Sequence, residues 1–373
     1  MPFADQLIGT DVAEQLVHEI QAVVPEHPLQ FLPAASAALA PLSLRERADA
    51  LRDALLAEFP EDYSQLATVI RGASEQSAAF TGWMIWPVTS ALATRAVQEN
   101  TAAAFNDAMT LLASLTPRLT SEFAIRLLLK HDLDNALSIA EEWTRSTDEH
   151  VRRLASEGTR SYLPWAVRVP QIIATPGCTI PILDALYRDE SQYVRRSVAN
   201  HLNDLSRDAP QLVTQTARRW LQAPEVTTLP LVKHALRTLI KRGDPEALAV
   251  LGFGPPTVEI DGPQVAQRQV PFGGSVNFTA AIRNTGTEPT PLAIDYLVHH
   301  LKANGTTSAK VFKLATRTLA PGEVMDIDRS HSFRAITTRR YYPGIHGIAL
   351  QINGVPTDTV HFELLAEPRL RAD

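Results

Sequence analysis

Two periods divide the chain. From about residue 10 to residue 252 apolar side chains recur every three or four positions, as in VAEQLVHEIQAVV, LRERADALRDALLAEF and NDAMTLLASL, and this predicts helices throughout. Pro25, Pro28, Pro33 and Pro41 interrupt the first stretch, so residues 25–42 are expected to form a loop with short turns. Ser43 followed by Glu46 predicts a capping box, and Thr120 or Ser121 is placed to cap the helix after residue 121. After Gly252 the period becomes two. Val276, Phe278, Ala280 and Ile282 alternate with polar residues, as do Ile294, Tyr296 and Val298, then Ile348, Leu350 and Ile352, then Val360, Phe362 and Leu364.

The helical half repeats itself. Trp143 leads through a short acidic turn to Val151, Arg152 and Arg153, and Tyr187 leads in the same way to Val194, Arg195 and Arg196. The two valines are 43 residues apart. A period of ~40–47 residues of paired helices marks a HEAT or armadillo solenoid, whose second helices line a concave face. Turn signals recur at HDLDNAL, RDAPQL and RGDPEAL. In the other half, turns at NTGTEPT, KANGTTS, LAPGE, YYPG and NGVP separate about seven short strands, the number expected of an immunoglobulin-like or fibronectin-like sandwich. The expected fold class is an all-α HEAT-like solenoid followed by an all-β immunoglobulin-like sandwich. The first domain is assigned to residues 1–254 and the second to 255–373, joined by a linker from Phe253 to Thr257.

Composition adds exclusions. At 373 residues the chain exceeds the ~250–300 at which single cores stop growing, which fits two domains. A single cysteine, Cys178, rules out an internal disulfide framework or a cysteine metal cluster. No run of ~18 apolar residues suggests a membrane span, and the acidic N-terminus lacks an apolar signal core. A cytoplasmic protein without metal or cofactor is expected. The net charge of −6 is unevenly spread. Residues 1–64 hold eleven acids against three arginines, residues 145–200 eight arginines against six acids, and residues 302–340 eight Lys/Arg against three acids. Such a bipolar chain can still offer one basic face to a phosphate backbone.

The candidate chemistry concentrates between Asp148 and Trp165, in DEHVRRLASEGTRSYLPW. Arg152, Arg153 and Arg160 fall near Glu157 on a helix or at its end, Gly158 offers a stop, and Trp165 follows Pro164. Glu157 and Asn200 occupy equivalent positions of the two repeats, and both should face one groove. Further candidate carboxylates are Glu122, which opens the helix EFAIRLLLK, and Asp204, which closes VRRSVANHLND. Each carboxylate could instead cap a helix or pair with an arginine, and Trp165 could seal a joint between repeats. Trp83 and Trp86 are expected in the core. The arginines could be solvated or pair with Asp148, Glu149 and Glu190, but the doubled arginines at equivalent positions favour a ligand running along the groove. His131, His150, His201 and His234 lack metal-binding spacing and suit core or surface roles. No phosphate-binding glycine loop, zinc motif or serine nucleophile elbow is present.

The segment STDEHVRRLASEGTRSYLPWAVRVP, with SEFAIRLLLKHDLDNAL before it, RDESQYVRRSVANHLNDLSRDAPQLV after it and RRYYPGIHGIALQING near the end, closely resembles the AlkC-type bacterial DNA alkylation-repair glycosylases. These are relatives of the AlkD glycosylases. The resemblance implies excision of N3-methyladenine and N3-methylcytosine from DNA that is held bent, without a deep pocket for a flipped base. A mechanism follows that the residues can serve. N3 alkylation leaves the base cationic, and its departure passes through an oxocarbenium-like sugar that a carboxylate stabilises. Glu157 is the first choice for that carboxylate, Glu122 the second, with Asp204 assisting and Trp165 lying against the damaged nucleotide. Arg152, Arg153, Arg160, Arg195 and Arg196 would hold phosphates, at least one of them serving instead to hold the carboxylates. Arg334, Arg339 and Arg340, with Lys302, Lys310 and Lys313, would clamp the DNA from the sandwich. The partner implied is double-stranded DNA containing alkylated bases, bound by a monomer at the bacterial nucleoid with no cofactor and no obligate protein partner. Two other readings stand beside this one, a non-enzymatic HEAT scaffold and a damage-binding protein without catalysis.

Overall fold

The computed structural model describes residues 4–336 and 340–366. Its contacts divide the chain into two compact units, Met1–Leu212 with Ala223–Ala235, and Val213–Gln222 with Leu236–Asp373. Among the described residues sixteen α-helices precede nine β-strands, as the switch of period predicts.

In the first unit, Ser43 caps Leu44–Glu58 with the expected box, its backbone N–H bonding Glu46 at 2.8 Å. The proline-rich stretch holds a helix that the sequence reading did not expect, Phe31–Ala37. Pro33 lies in its first turn, where a missing N–H costs no hydrogen bond. Glu122 also sits differently. The helix begins at Ile125, so Glu122 belongs to the turn leading into it. Neither expected residue caps the helix, because the cap position falls on Ala124; the Ser121 hydroxyl donates to the Leu112 carbonyl (2.6 Å), and Thr120 donates to Glu122 (3.0 Å).

The repeat appears as two helix pairs, Leu133–Trp143 with Glu149–Gly158, and Ile180–Leu186 with Gln192–Leu205. Helices Glu149–Gly158 and Gln192–Leu205 pack against each other. Val151, Leu154 and Ala155 of the first are buried, as are Val194 and Val198 of the second. Buried with them are Arg152, Ser156, Glu157, Ser197, His201 and Asp204, a polar load that hydrophobic packing alone does not require. Gly158 is the last helical residue, as expected, and it has a second role. A Cβ there would lie 2.9 Å from Ile125, so the residue permits close approach of two helices.

The second unit is built on β1 (Val258–Val265), β2 (Gln269–Val270), β3 (Ser275–Asn284), β4 (Thr290–Leu301), β5 (Thr307–Leu319), β6 (Val324–Ser332), β7 (Gly344–Ile352), β8 (Val355–Pro356) and β9 (Val360–Leu364). One sheet has the order β1-β3-β6 and the other β2-β9-β7-β4-β5, with β8 on β7. Val276, Phe278, Ala280 and Ile282 of β3 are buried and meet Ile294, Val298, Ile348, Leu350, Ile352 and Phe362 in one core. The alternation in the sequence thus marks the inward faces.

Candidate active site

Four carboxylate and guanidinium pairings tie the central residues together. Arg160 donates from Nη1 to Glu157 Oε1 (2.5 Å) and from Nε to Asp204 Oδ2 (2.8 Å). Arg153 donates from Nη1 to Glu122 Oε2 (2.9 Å) and approaches Glu157 Oε1 at 3.7 Å. Three carboxylates therefore share two cations, and Glu157 is the member common to both. Glu157 and Asp204 are each only 6 % exposed, so these charges are tolerable only because they are paired. Burial raises the affinity of Asp204 for a proton, and Arg160 works against that rise.

Glu157, Glu122 and Arg160 open onto a cleft of about 280 Å³ with Trp83, Leu119, Thr120, Phe123, Leu163, Pro164 and Trp165. Trp165 is 46 % exposed and takes φ 62°, a left-handed conformation that costs a non-glycine residue about 1–2 kcal/mol. Pro164 precedes it and Arg45 donates to its carbonyl. The whole crossing from Gly158 to Val167 is gathered by Arg126, a wholly buried residue that donates to the carbonyls of Gly158 (2.9 Å), Arg160 (2.7 Å) and Val167 (3.0 Å). Burial, with Arg168 and Arg160 nearby, lowers its pKa to about 10, which still leaves it cationic at neutral pH.

Trp83 contradicts the core assignment. Gly82 at φ 75° and the short 3₁₀ turn Gly82–Met84 leave Trp83 half-buried on the cleft wall, while Trp86 is buried and stacks on Phe123 with ring centroids 4.3 Å apart. An apolar run such as GWMIWP cannot reveal that a turn splits its two tryptophans.

The arginines separate into two groups. Arg152 does not face a ligand, because Asp189 takes its Nε (2.7 Å) and Nη2 (3.1 Å) and the carbonyls of Ser146 and Thr147 take its Nη1 (3.0 and 3.1 Å). It seals the joint between the two helix pairs. Arg153 and Arg160 hold carboxylates, and Arg153 also lies over the Tyr193 ring at 4.9 Å. Arg195 is half-buried and donates to the carbonyls of Asp189 (2.5 Å) and Glu190 (2.8 Å). Exposed Arg196 lines a cavity of about 500 Å³ with Gln192, Arg195, Leu231 and His234, and His234 bonds Asn200 at 3.0 Å. On the sandwich, Arg334 and Arg340 are exposed, and Arg340, Lys302 and Lys310 line a second cavity of about 340 Å³ with Tyr342. Lys313 sits on β5 opposite Asp295. Arg339 lies outside the described residues. No group of three or more His, Cys, Asp or Glu able to hold a metal occurs among the described residues, and no described helix is long and apolar enough to cross a membrane.

Over its whole length the chain is similar to the Pseudomonas fluorescens alkylpurine DNA glycosylase AlkC, whose structure is known with DNA containing an abasic-site analogue. The two are 34 % identical with a TM-score of 0.79, covering 98 % of this chain and 100 % of the other. The YhaZ protein of Bacillus subtilis (strain 168) is 31 % identical over 362 residues, 96 % of this chain and 98 % of its own. The chain belongs to the AlkC family. Residues 259–366 also match the family model described as "Uncharacterised protein YhaZ, C-terminal Ig-like domain". In this AlkC-family chain the sequence missed Arg126, Arg45, Thr120 and Ser197 as parts of the site. Only Ser197 left a signal, standing where the preceding repeat has the buried Leu154.

His201 supplies a check on the buried network. Wholly buried between Thr179 (3.0 Å) and the Ser156 carbonyl (2.8 Å), it has a pKa lowered to about 3, chiefly by burial. Its unfolded value is about 6.5, so between those limits the unfolded chain binds the extra proton and stability falls as pH falls. Lowering the pH from 7 to 4.5 should cost about 2–3 kcal/mol through this residue alone. Urea unfolding at both pH values should show that loss reduced by this amount in His201→Gln. An equal loss in both proteins would contradict the assignment.

Proposed function

We propose that the protein is a DNA glycosylase that removes cationic N3-alkylated bases, N3-methyladenine and N3-methylcytosine, by hydrolysing the N-glycosidic bond. The observation that carries the proposal is a buried carboxylate, Glu157, opening with Glu122 and three aromatic rings onto one cleft. Membership of a family that includes an alkylpurine DNA glycosylase supports it. At about 280 Å³ the cleft is smaller than the ~300–1,000 Å³ of pockets that engulf a whole ligand, which suits a base left in bent DNA rather than flipped into the protein.

The alkylated base leaves as a neutral molecule and takes the bonding electrons with it. Positive charge then develops at C1′ and the ring oxygen of the sugar. Glu157 stabilises that charge and orients the attacking water, Glu122 assists from the same wall, and Asp204 acts through Arg160. Trp165 and Trp83 present π-faces to the cationic nucleotide. Because three carboxylates share two guanidiniums, the arginines hold the acids in place without cancelling their charge.

Release of N3-methyladenine and N3-methylcytosine from methylated duplex DNA by the purified protein is the expected result. Affinity for methylated DNA with no abasic product would indicate a damage binder, and neither binding nor release would leave the scaffold reading. Phosphate contacts are assigned to Arg195 and Arg196 on the helical unit and to Arg334, Arg340, Lys302 and Lys310 on the sandwich. Replacing Lys302, Lys310 and Arg340 together by Ala should weaken DNA binding at least about tenfold and make the log Kd against log salt slope shallower by about 2–3. An unchanged slope would remove these residues from the interface. Deleting residues 256–373 is the blunter test, because the compact unit they belong to also includes Val213–Gln222 and Leu236 onward.

A further inference from the structure

Glu157 is held by more than arginine. Its Oε1 faces Arg160 and Arg153, while its Oε2 accepts a hydrogen bond from the Ser197 hydroxyl at 2.7 Å. Ser197 Oγ also lies 3.0 Å from Ser156 Oγ. A serine hydroxyl has one proton, and the charged acceptor takes it. The Ser156 hydroxyl must therefore donate to Ser197, which makes a chain running Ser156 to Ser197 to Glu157. The backbone beneath the chain is fixed by His201. The Ser156 carbonyl can only accept, so Nδ1 of His201 carries the hydrogen at 2.8 Å and Nε2 accepts from the Thr179 hydroxyl at 3.0 Å. Ser156, Ser197, Thr179 and His201 are all buried.

The position of Ser197 in the repeat matters. Its equivalent 43 residues earlier is Leu154, an apolar side chain that is wholly buried. A hydroxyl at a core register sacrifices apolar burial, and that sacrifice is explained when the hydroxyl has a task. Two donors fix both oxygens of a carboxylate and so fix its plane. A third guanidinium could do this too, but it would offset the negative charge offered to a cationic sugar. A hydroxyl orients the carboxylate and leaves its charge in place. A chain of hydroxyls, each polarised by the next, strengthens the terminal bond.

We propose that Ser197, backed by Ser156, is a positioning residue that sets the plane of the Glu157 carboxylate for stabilisation of the developing sugar cation. This rests on the glycosylase reading of the same site. In single-turnover excision from methylated duplex DNA, Ser197→Ala should slow the chemical step about 10- to 100-fold, by analogy with the loss of outer-shell partners that orient metal ligands. Its Kd for DNA bearing an abasic-site analogue should stay within about twofold of wild type, since no phosphate contact is touched. Ser156→Ala should slow the step less, and the double variant no more than Ser197→Ala alone, because the second hydroxyl acts only through the first. Ser197→Thr, which keeps the hydroxyl, should recover most of the rate, and thermal melts identify any variant that has lost its fold. Wild-type rates in Ser197→Ala while Glu157→Gln is inactive would overturn the positioning role alone. So would additive losses in the double variant, or a parallel loss of rate and DNA affinity in a folded Ser197→Ala protein. Failure of the wild-type protein to release any alkylated base would instead remove the glycosylase reading.

Discussion

Glu157→Gln should lose excision by at least about 10²–10³-fold while binding DNA with near-native affinity. The substitution keeps the volume and the hydrogen-bonding reach of the side chain. Its amide oxygen can still accept from Arg160, and its amide nitrogen can donate to Ser197 once that hydroxyl turns its own proton toward Ser156. What disappears is the charge that faces the sugar. Arg153 keeps Glu122 and Arg160 keeps Asp204, so neither cation is released into the cleft as a free charge. Single-turnover excision from methylated duplex, with fluorescence anisotropy on DNA containing an abasic-site analogue, separates the two effects. Full excision by the variant would show that Glu157 is not the reacting carboxylate, and a loss of binding equal to the loss of rate would point to a structural role.

Arg160→Met should destabilise the helical unit by about 3–5 kcal/mol, the largest stability loss expected from a single replacement in the site. Methionine fills most of the volume, so the effect comes from charge. Glu157 and Asp204 are left buried, with the more distant Arg153 as the cation facing Glu157 and with Asp204 stripped of its hydrogen-bonded cation. The pH dependence has a definite sign. Burial already raises the affinity of Asp204 for a proton and Arg160 opposes it, so removing Arg160 raises it further. A carboxyl group whose folded pKa lies above its unfolded value favours folding more as it protonates, and its cost appears as pH rises through the folded pKa. The deficit of Arg160→Met relative to wild type should therefore shrink as the pH is lowered. Urea unfolding of both proteins at several pH values measures this, and a deficit that grew on acidification would contradict the pairing. Arg160→Lys, which keeps a charge but cannot span two carboxylates with a planar fork, should fall between the two.

The fold was open to reading because its two periods run over long stretches, and the inward faces of β3 and β9 follow the alternation, as do Ile348, Leu350 and Ile352 of β7, whose other face is buried as well. The part of the site lying on one helix and just past its end was equally open. Arg153, Glu157 and Arg160 stand three and four residues apart, and such spacings put side chains side by side whatever the tertiary structure. The remaining partners come from elsewhere in the chain. Asp204 lies 44 residues from Arg160, and Glu122 31 residues from Arg153. Nothing local distinguishes such acids from helix caps. Arg152 was misplaced for a related reason. Its neighbour Arg153 turns toward the acids of the cleft while Arg152 turns to Asp189 in the adjoining pair, and a doubled arginine in a sequence does not say which of the two points outward. Trp83 was hidden by a glycine turn, and Arg45 by the 120 residues that separate it from Trp165.

The links between the two helix pairs have a consequence for how this architecture can change. Arg152 reaches Asp189, Arg160 reaches Asp204, Ser197 reaches Glu157, and Ser191 reaches Glu149, each across the same junction. Repeat proteins ordinarily tolerate duplication, deletion and exchange of their units, because every interface resembles the next. Here one interface holds the central carboxylate in position, so the two units that meet there form an indivisible module. Units that supply none of the cleft residues could change without touching this chemistry, but inserting a unit at that junction would disconnect Glu157 from half of its support.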